Sequence, residues 1–311
     1  MDLLVVKDLK KNFGSRQAVD GLSFSVSQGE VFGLLGPNGA GKSTTLSIIY
    51  GLLKPREGTV TINGWDISKE RIKTKKMIGV VPQEPAIYPQ LSAKANLKFW
   101  GKINGLSGKK LDRAVKRVLE LVGLEDRANE KAGKYSGGMK RRLNIASGLI
   151  HNPKLLIMDE PTVGVDPQSR NHILETVKQL KDQGTTIIYT SHYVEEVEYL
   201  CDRVAIMDHG NLISQGPISE LLNEAGEHQE ILITLNSATE AVDKPVSSLP
   251  GVAKVFTVGN QIKILTGNAE QLLPLAFEAI VNQGLRVSQI SINKPNLEGL
   301  FLKITGRALR D

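Results

Sequence analysis

Between Val31 and about Gly216, short apolar runs rich in Val, Ile and Leu alternate with longer stretches whose apolar residues recur at threes and fours. This alternation predicts an α/β core with a largely parallel sheet. Residues 31–35, 154–158 and 185–190 are the clearest buried strands, and each runs at once into polar residues or glycine. Open α/β sheets bind ligands beyond the carboxyl ends of their strands, so the chemistry is expected there. From Ser92 to Leu149 the period becomes helical, with Leu97, Trp100, Leu111, Val115, Val118, Leu119 and Val122 on the repeat. That predicts an inserted helical subdomain with Trp100 in its core. Trp65 has no visible role.

The pattern changes near residues 216–229. Residues 231–235, 253–258 and 261–266 read as strands, the last two joined by Gly259-Asn260, a hairpin signal. A helix follows to about Gln283 with Leu273, Phe277, Ile280 and Val281 as its apolar face. Pro274 sets the helix's expected start, because proline disrupts an interior turn. Residues 287–292 form a closing strand. With a short helix between Thr239 and Leu249 the order is β-α-β-β-α-β, that of a small ferredoxin-like α+β domain. The expected domains are 1–216, with the helical insert at about 90–150, and 217–311; no internal repeat is visible.

Composition changes this picture little. At roughly 150 residues per domain, 311 residues make two. With 41% hydrophobic and 23% charged residues the chain is neither collagen-like, coiled-coil nor wholly disordered. No apolar run approaches the roughly 20 residues that span a bilayer. The start, Met-Asp-Leu-Leu-Val-Val-Lys, lacks the features of a secretory signal. A single cysteine, Cys201, agrees with the reducing cytosol. The net charge of +6 raises a nucleic-acid or membrane-surface role. The basic residues are nevertheless scattered among acids, clustering only at 69–76 and 140–142 without interleaved aromatics, so no nucleic-acid partner is expected.

Gly36-Pro37-Asn38-Gly39-Ala40-Gly41-Lys42-Ser43 matches G-x-x-x-x-G-K-[ST], between a predicted strand and a predicted helix from Thr44 onward. Glycines let the backbone approach phosphates, and successive N–H groups at the helix start face the phosphate oxygens. Lys42 reaches the β- and γ-phosphates and Ser43 offers a hydroxyl to Mg²⁺. A second motif, residues 155–160, is a buried strand ending in Asp159 and Glu160. One carboxylate near Mg²⁺ holds its water shell, and the next orients and deprotonates the attacking water. His192, after the strand at 185–190, is placed to contact the γ-phosphate. His151, His172, His209 and His228 have no metal-ligand spacing and read as surface or core.

The order of phosphate loop, Gln83, Tyr135-Ser136-Gly137-Gly138-Met139, Asp159-Glu160, Gly164-Val165-Asp166 and His192 resembles the ATPase subunit of ABC transporters over about residues 1–216. The Ser-Gly-Gly element separates that family from other P-loop ATPases. The resemblance implies that Phe13 stacks on adenine and that Gln83 touches Mg²⁺ and senses the partner. It also implies that Asp166 couples two sites, and that Ser136, Gly137 and Gly138 meet the γ-phosphate held by the opposite subunit. ATP and Mg²⁺ are then the cofactors, Asp159 acting on the metal through water, and two chains, as a homodimer or with a related subunit, sandwich two ATP molecules. Tyr135 and Met139 stand where the family often has Leu and Gln, and Phe13 where it often has Tyr. Met139 lacks the amide that the family often places near the nucleotide; Glu160 and His192 together argue against a non-hydrolysing copy.

Residues 297–307 resemble the tail of ATPase subunits in drug-resistance-type exporters. The expected extension either regulates, or covers apolar surface and aids dimerisation. Pro85-Ala86-Ile87-Tyr88-Pro89 is apolar where the family docks a cytoplasmic helix of the membrane subunit; the alternative is a loop packed on the helical subdomain. The resemblance thus implies an exporter's ATPase, peripheral on the cytoplasmic face of the membrane, serving a separate transmembrane permease. A soluble ABC-type ATPase of translation or DNA repair is the other reading, disfavoured because the chain has one cassette and no sustained heptads.

Overall fold

Leu3, Leu4, Val6 and Leu9 are buried along β1 (Asp2–Phe13), which pairs antiparallel with β2 (Arg16–Ser27). The computed structural model describes residues 1–225, 229–237, 243–293 and 296–306. The chain divides into two compact units, 1–216 and 217–311. The alternation of this amino-terminal hairpin is not legible in the sequence, because register shifts, including one between Val6 and Leu9, break the period of two. With β4 (Glu57–Ile62) and β5 (Trp65–Asp66) it forms a four-stranded sheet ordered β2-β1-β4-β5.

The second sheet holds β3 (Val31–Leu35), β6 (Ile78–Val81), β7 (Leu155–Asp159), β8 (Thr186–Ser191), β9 (Arg203–Asp208) and β10 (Asn211–Pro217). Its order is β10-β9-β3-β8-β7-β6, with parallel pairing from β6 through β9. Every residue of β3 and β8 is buried, as expected of parallel strands covered on both faces. Stacked Phe24 and Phe32 rings, 5.2 Å apart, join the two sheets across a core that also takes Leu46, Ile48 and Ile49 of α1 (Lys42–Ile49).

The short α2 (Arg71–Lys75) precedes β6, and Lys73 Nζ lies 4.0 Å over the Trp65 ring, giving that residue a contact the sequence did not suggest. The helical insert comprises α3 (Ala93–Ile103), α4 (Gly108–Leu121) and α5 (Gly137–Leu149), which pack on one another and, through α5, on β6. Leu97, Leu111, Val115, Val118, Leu119 and Val122 are buried there. Trp100 is only half-buried, because its indole N–H must reach a partner and donates to Ala86 O at 3.0 Å. Two further helices, α6 (Pro167–Asp182) and α7 (Val194–Leu200), follow β7 and β8.

In the second unit, α8 (Ile218–Ala225) precedes β11 (Gln229–Leu235), α9 (Asp243–Ser247), β12 (Val252–Val258), β13 (Gln261–Thr266), α10 (Ala269–Val281), β14 (Val287–Asn293) and α11 (Leu297–Thr305). The sheet order is β12-β13-β11-β14 with antiparallel neighbours, the ferredoxin-like arrangement. The apolar face of α10 differs from expectation. Ala269, Leu272, Ala276 and Ile280 face the core, whereas Phe277 and Val281 are exposed, since the small alanines allow close helix-to-sheet packing. Asn268 caps this helix by accepting from Gln271 N, and the helix begins at Ala269, five residues before Pro274, so Pro274 lies inside it. His228, Thr239 and Arg307 lie outside the described residues.

Candidate nucleotide site

The phosphate loop leaves β3 at Gly36 and ends where Gly41, with φ of +103°, caps α1. A Cβ on Gly36 would lie 2.3 Å from Met207 O, and one on Gly41 2.4 Å from Ala18 O, so neither position admits a side chain. The first turn of α1 holds no acid and its cap makes no side-chain hydrogen bond, so its amino-terminal N–H groups present partial positive charge. Asn38, Gly39, Ala40, Gly41, Lys42, Ser43 and Thr44 line a cleft of about 360 Å³, bordered further by Gln83 and Glu160.

Lys42 is 5% exposed and donates to Gly36 O at 2.6 Å and Pro37 O at 3.1 Å. Burial lowers the pKa of its ammonium, opposed by the nearby carboxylates of Glu160 and Asp159. Glu160 is buried and takes a left-handed φ of +45° in a non-glycine residue, a local strain held by its surroundings. Its N–H donates to Thr190 Oγ1 at 2.9 Å, and that hydroxyl donates in turn to Asp159 Oδ1 at 2.8 Å. Gln83 Nε2 donates to Glu160 Oε2 at 3.2 Å; Oε1 lies 3.6 Å from His192 Nδ1 and 3.8 Å from Lys42 Nζ. Gln83, Glu160, His192 and the phosphate loop follow β6, β7, β8 and β3, four adjacent parallel strands. Their carboxyl ends make the site.

Ser43 Oγ donates to Asp159 Oδ1 at 3.5 Å. A hydroxyl, a carboxylate and the Gln83 amide are hard oxygen donors, and no group of three or more His, Cys, Asp or Glu suited to a metal occurs among the described residues. Few protein ligands, completed by phosphate oxygens and water, is how Mg²⁺ is usually held, so the donor set fits that ion.

Phe13 stands at the mouth of the cleft, 48% exposed, directly across the β1–β2 hairpin from Arg16. Arg16 and Ala18 also line the cleft and were missed by sequence reasoning. The available signal was a cation facing Phe13 across a tight turn. Thr190 was missed as well, because its role is set by a neighbouring strand. Ser136, Gly137 and Gly138 are not among the residues lining this cleft. Ser136 caps α5 by accepting from Met139 N, and a Cβ on Gly138 would collide with Ser169 and lie 3.2 Å from Asp166 Oδ2. The signature segment and Asp166 therefore adjoin each other at the starts of α5 and α6. Asp166 accepts from Ser169 N at 2.9 Å, which holds its carboxyl below the usual range. Of the other described histidines, His151 and His172 contact the carbonyls of Ile78 and Val122, and His209 is exposed in a turn.

Fold and site together define a P-loop ATPase. Residues 19–163 match the family model described as ABC transporter. A linearmycin resistance ATP-binding protein of Bacillus subtilis is 48% identical over 99% of this chain and 100% of its own length. A Nod factor export ATP-binding protein of a Rhizobium species is 38% identical over 97% of this chain and 96% of its length. Among solved structures, an ABC transporter's ATP-binding cassette in its ADP conformation superposes with a TM-score of 0.65 at 32% identity, covering 71% of this chain and 92% of its own. A dimeric cassette bound to ADP and Pi superposes at 0.63 with 27% identity, covering 69% and 98%. The chain belongs to the ABC transporter family as an ATP-binding subunit of the drug-resistance-type exporter kind. It hydrolyses ATP to power transport by a separate membrane partner. The last of these cassettes is a dimer.

Proposed function

We propose that this chain works as a homodimer, or with a closely related subunit, on the cytoplasmic face of a membrane and drives export through a transmembrane permease. The observation that carries the reading is the buried Glu160 carboxylate, with Gln83, His192 and Lys42 at 3.2 to 3.8 Å around it. Phe13 stacks on adenine, residues 36–44 wrap the phosphates and Lys42 offsets their charge. Ser43, Gln83 and, through water, Asp159 would hold Mg²⁺, which would supply positive charge against the phosphates. Glu160 accepts the proton as water attacks the γ-phosphorus and the bond to the ADP oxygen breaks. His192 supports the γ-phosphate, and Ser136, Gly137 and Gly138 of the opposite chain complete the site, with Asp166 linking the two.

Among the described residues no helix is long and apolar enough to cross a membrane, in keeping with a pore made by another polypeptide. Residues 85–89 dock that partner: Pro85, Ala86, Tyr88 and Pro89 are exposed, yet the segment is anchored, Ala86 N donating to Asn144 Oδ1 and Tyr88 N to Asn96 Oδ1. The unit 217–311 is an accessory domain. Relatives named for linearmycin resistance and Nod factor export support export as the direction. Glu160→Gln should bind ATP and turn over at least about a hundredfold more slowly. Near-normal turnover of the purified variant removes Glu160 from the role of base.

A further inference from the structure

Glu196 is a buried ionisable group of the ATPase unit with no part in the proposed hydrolysis. Glu196, on α7, has a side chain 0% exposed, and burying a carboxylate is costly unless it is paired and hydrogen-bonded. Four groups meet that cost. Glu196 Oε2 accepts from Thr162 Oγ1 at 2.8 Å, Tyr189 OH at 2.8 Å and Ser191 Oγ at 2.9 Å. Oε1 accepts from Arg170 Nε at 2.6 Å, an ion pair whose guanidinium also lies 4.7 Å from the Tyr193 ring.

These donors come from the two segments that flank the catalytic carboxylate. Thr162 lies two residues after Glu160, in a turn where Val165 N donates to Thr162 O. Arg170 lies in the first turn of α6, and its N–H donates to Asp166 O, so its guanidinium anchors the helix that Asp166 caps. Tyr189 and Ser191 belong to β8, and Ser191 Oγ accepts from Tyr193 N, bracketing His192. One carboxylate therefore ties the segment carrying Asp166 to the strand end carrying His192.

We infer that Glu196, paired with Arg170, is a positioning residue that makes Asp166 and His192 move as one unit, so that partner contact at Asp166 sets the γ-phosphate contact at His192. This rests on the roles given above to those two residues. Gln is isosteric with Glu, and its amide oxygen can take the place of Oε2 and keep accepting from the three hydroxyls while its NH2 replaces the carboxylate oxygen facing Arg170, so Glu196→Gln removes the ion pair with the side chain's shape kept. In the full-length chain, Glu196→Gln is expected to lower kcat for ATP at least about tenfold with KM within about twofold, the pattern of lost positioning rather than lost binding. Arg170→Gln attacks the same pair from its less buried side and is expected to match it, with the double variant no slower than either single one.

The decisive measurement is the cost of Asp166→Ala in two backgrounds. If Glu196 carries the link, Asp166→Ala slows the unaltered chain but changes Glu196→Gln by less than about twofold. Normal kcat in both Glu196→Gln and Arg170→Gln overturns the inference, as does an Asp166→Ala cost that multiplies in full onto either. A purely packing role for Glu196 gives that second result. Should Asp166→Ala and His192→Ala leave the unaltered chain's turnover intact, the roles themselves fail, and this link with them.

Discussion

Thr190 is the most economical place to perturb Asp159 and Glu160 without touching either. Its hydroxyl is fully buried, accepts the N–H of Glu160 at 2.9 Å and donates to Asp159 at 2.8 Å. Thr190→Val keeps the shape and deletes both bonds. The orphaned N–H costs about 1–3 kcal/mol, and losing a hydrogen bond to a carboxylate adds a comparable amount, so about 2–6 kcal/mol of stability should go. In a domain of this size each kcal/mol moves Tm by about 2–4 °C, which places the expected drop on the order of 10 °C. Turnover should fall further than stability explains, since the left-handed turn at Glu160 loses a tether and small misplacements of a catalytic group cost on the order of tenfold or more. The assay is thermal unfolding beside ATP turnover at a temperature where the variant is folded, with Thr190→Ser as control. A Tm within about 2 °C of the unaltered chain together with unchanged kcat would refute the reasoning.

Three other tests are independent of it. Burial lowers the pKa of His151, whose Nδ1 has no partner among the described residues, so below about pH 6.5 the unfolded state takes up the proton first and stability falls as pH drops. Melting from pH 7.5 to 5.0 should show a shallower loss for His151→Gln, and parallel profiles would contradict this. Lys42→Ala should lose ATP affinity by calorimetry, and mixing it with Ser136→Arg should give mixed dimers with at most one intact site, in contrast to turnover that stays linear in concentration down to high dilution.

The phosphate loop was legible because its function is local. Six consecutive backbone units, the glycines at 36 and 41 and Lys42 fold on themselves between one strand and one helix, so spacing along the chain is spacing in space. The buried strands and the ferredoxin-like order of the second unit were legible for a similar reason, their periods being short and mostly unbroken. The amino-terminal hairpin was not, because bulges scramble its alternation, and the face of α10 was misjudged because alanines rather than the larger Phe277 and Val281 pack against the sheet.

Sequence alone therefore determined the parts list: a triphosphate loop, two carboxylates at a strand end, and a glycine signature that implies a shared site. Only the tertiary structure decided which parts meet. The order β6-β7-β8-β3 brings Gln83, Glu160, His192 and Lys42 to one edge from positions up to 150 residues apart, and it placed Thr190 and Glu196 beneath them. Strand order depends on how buried faces pack and which edges pair. No local period encodes that.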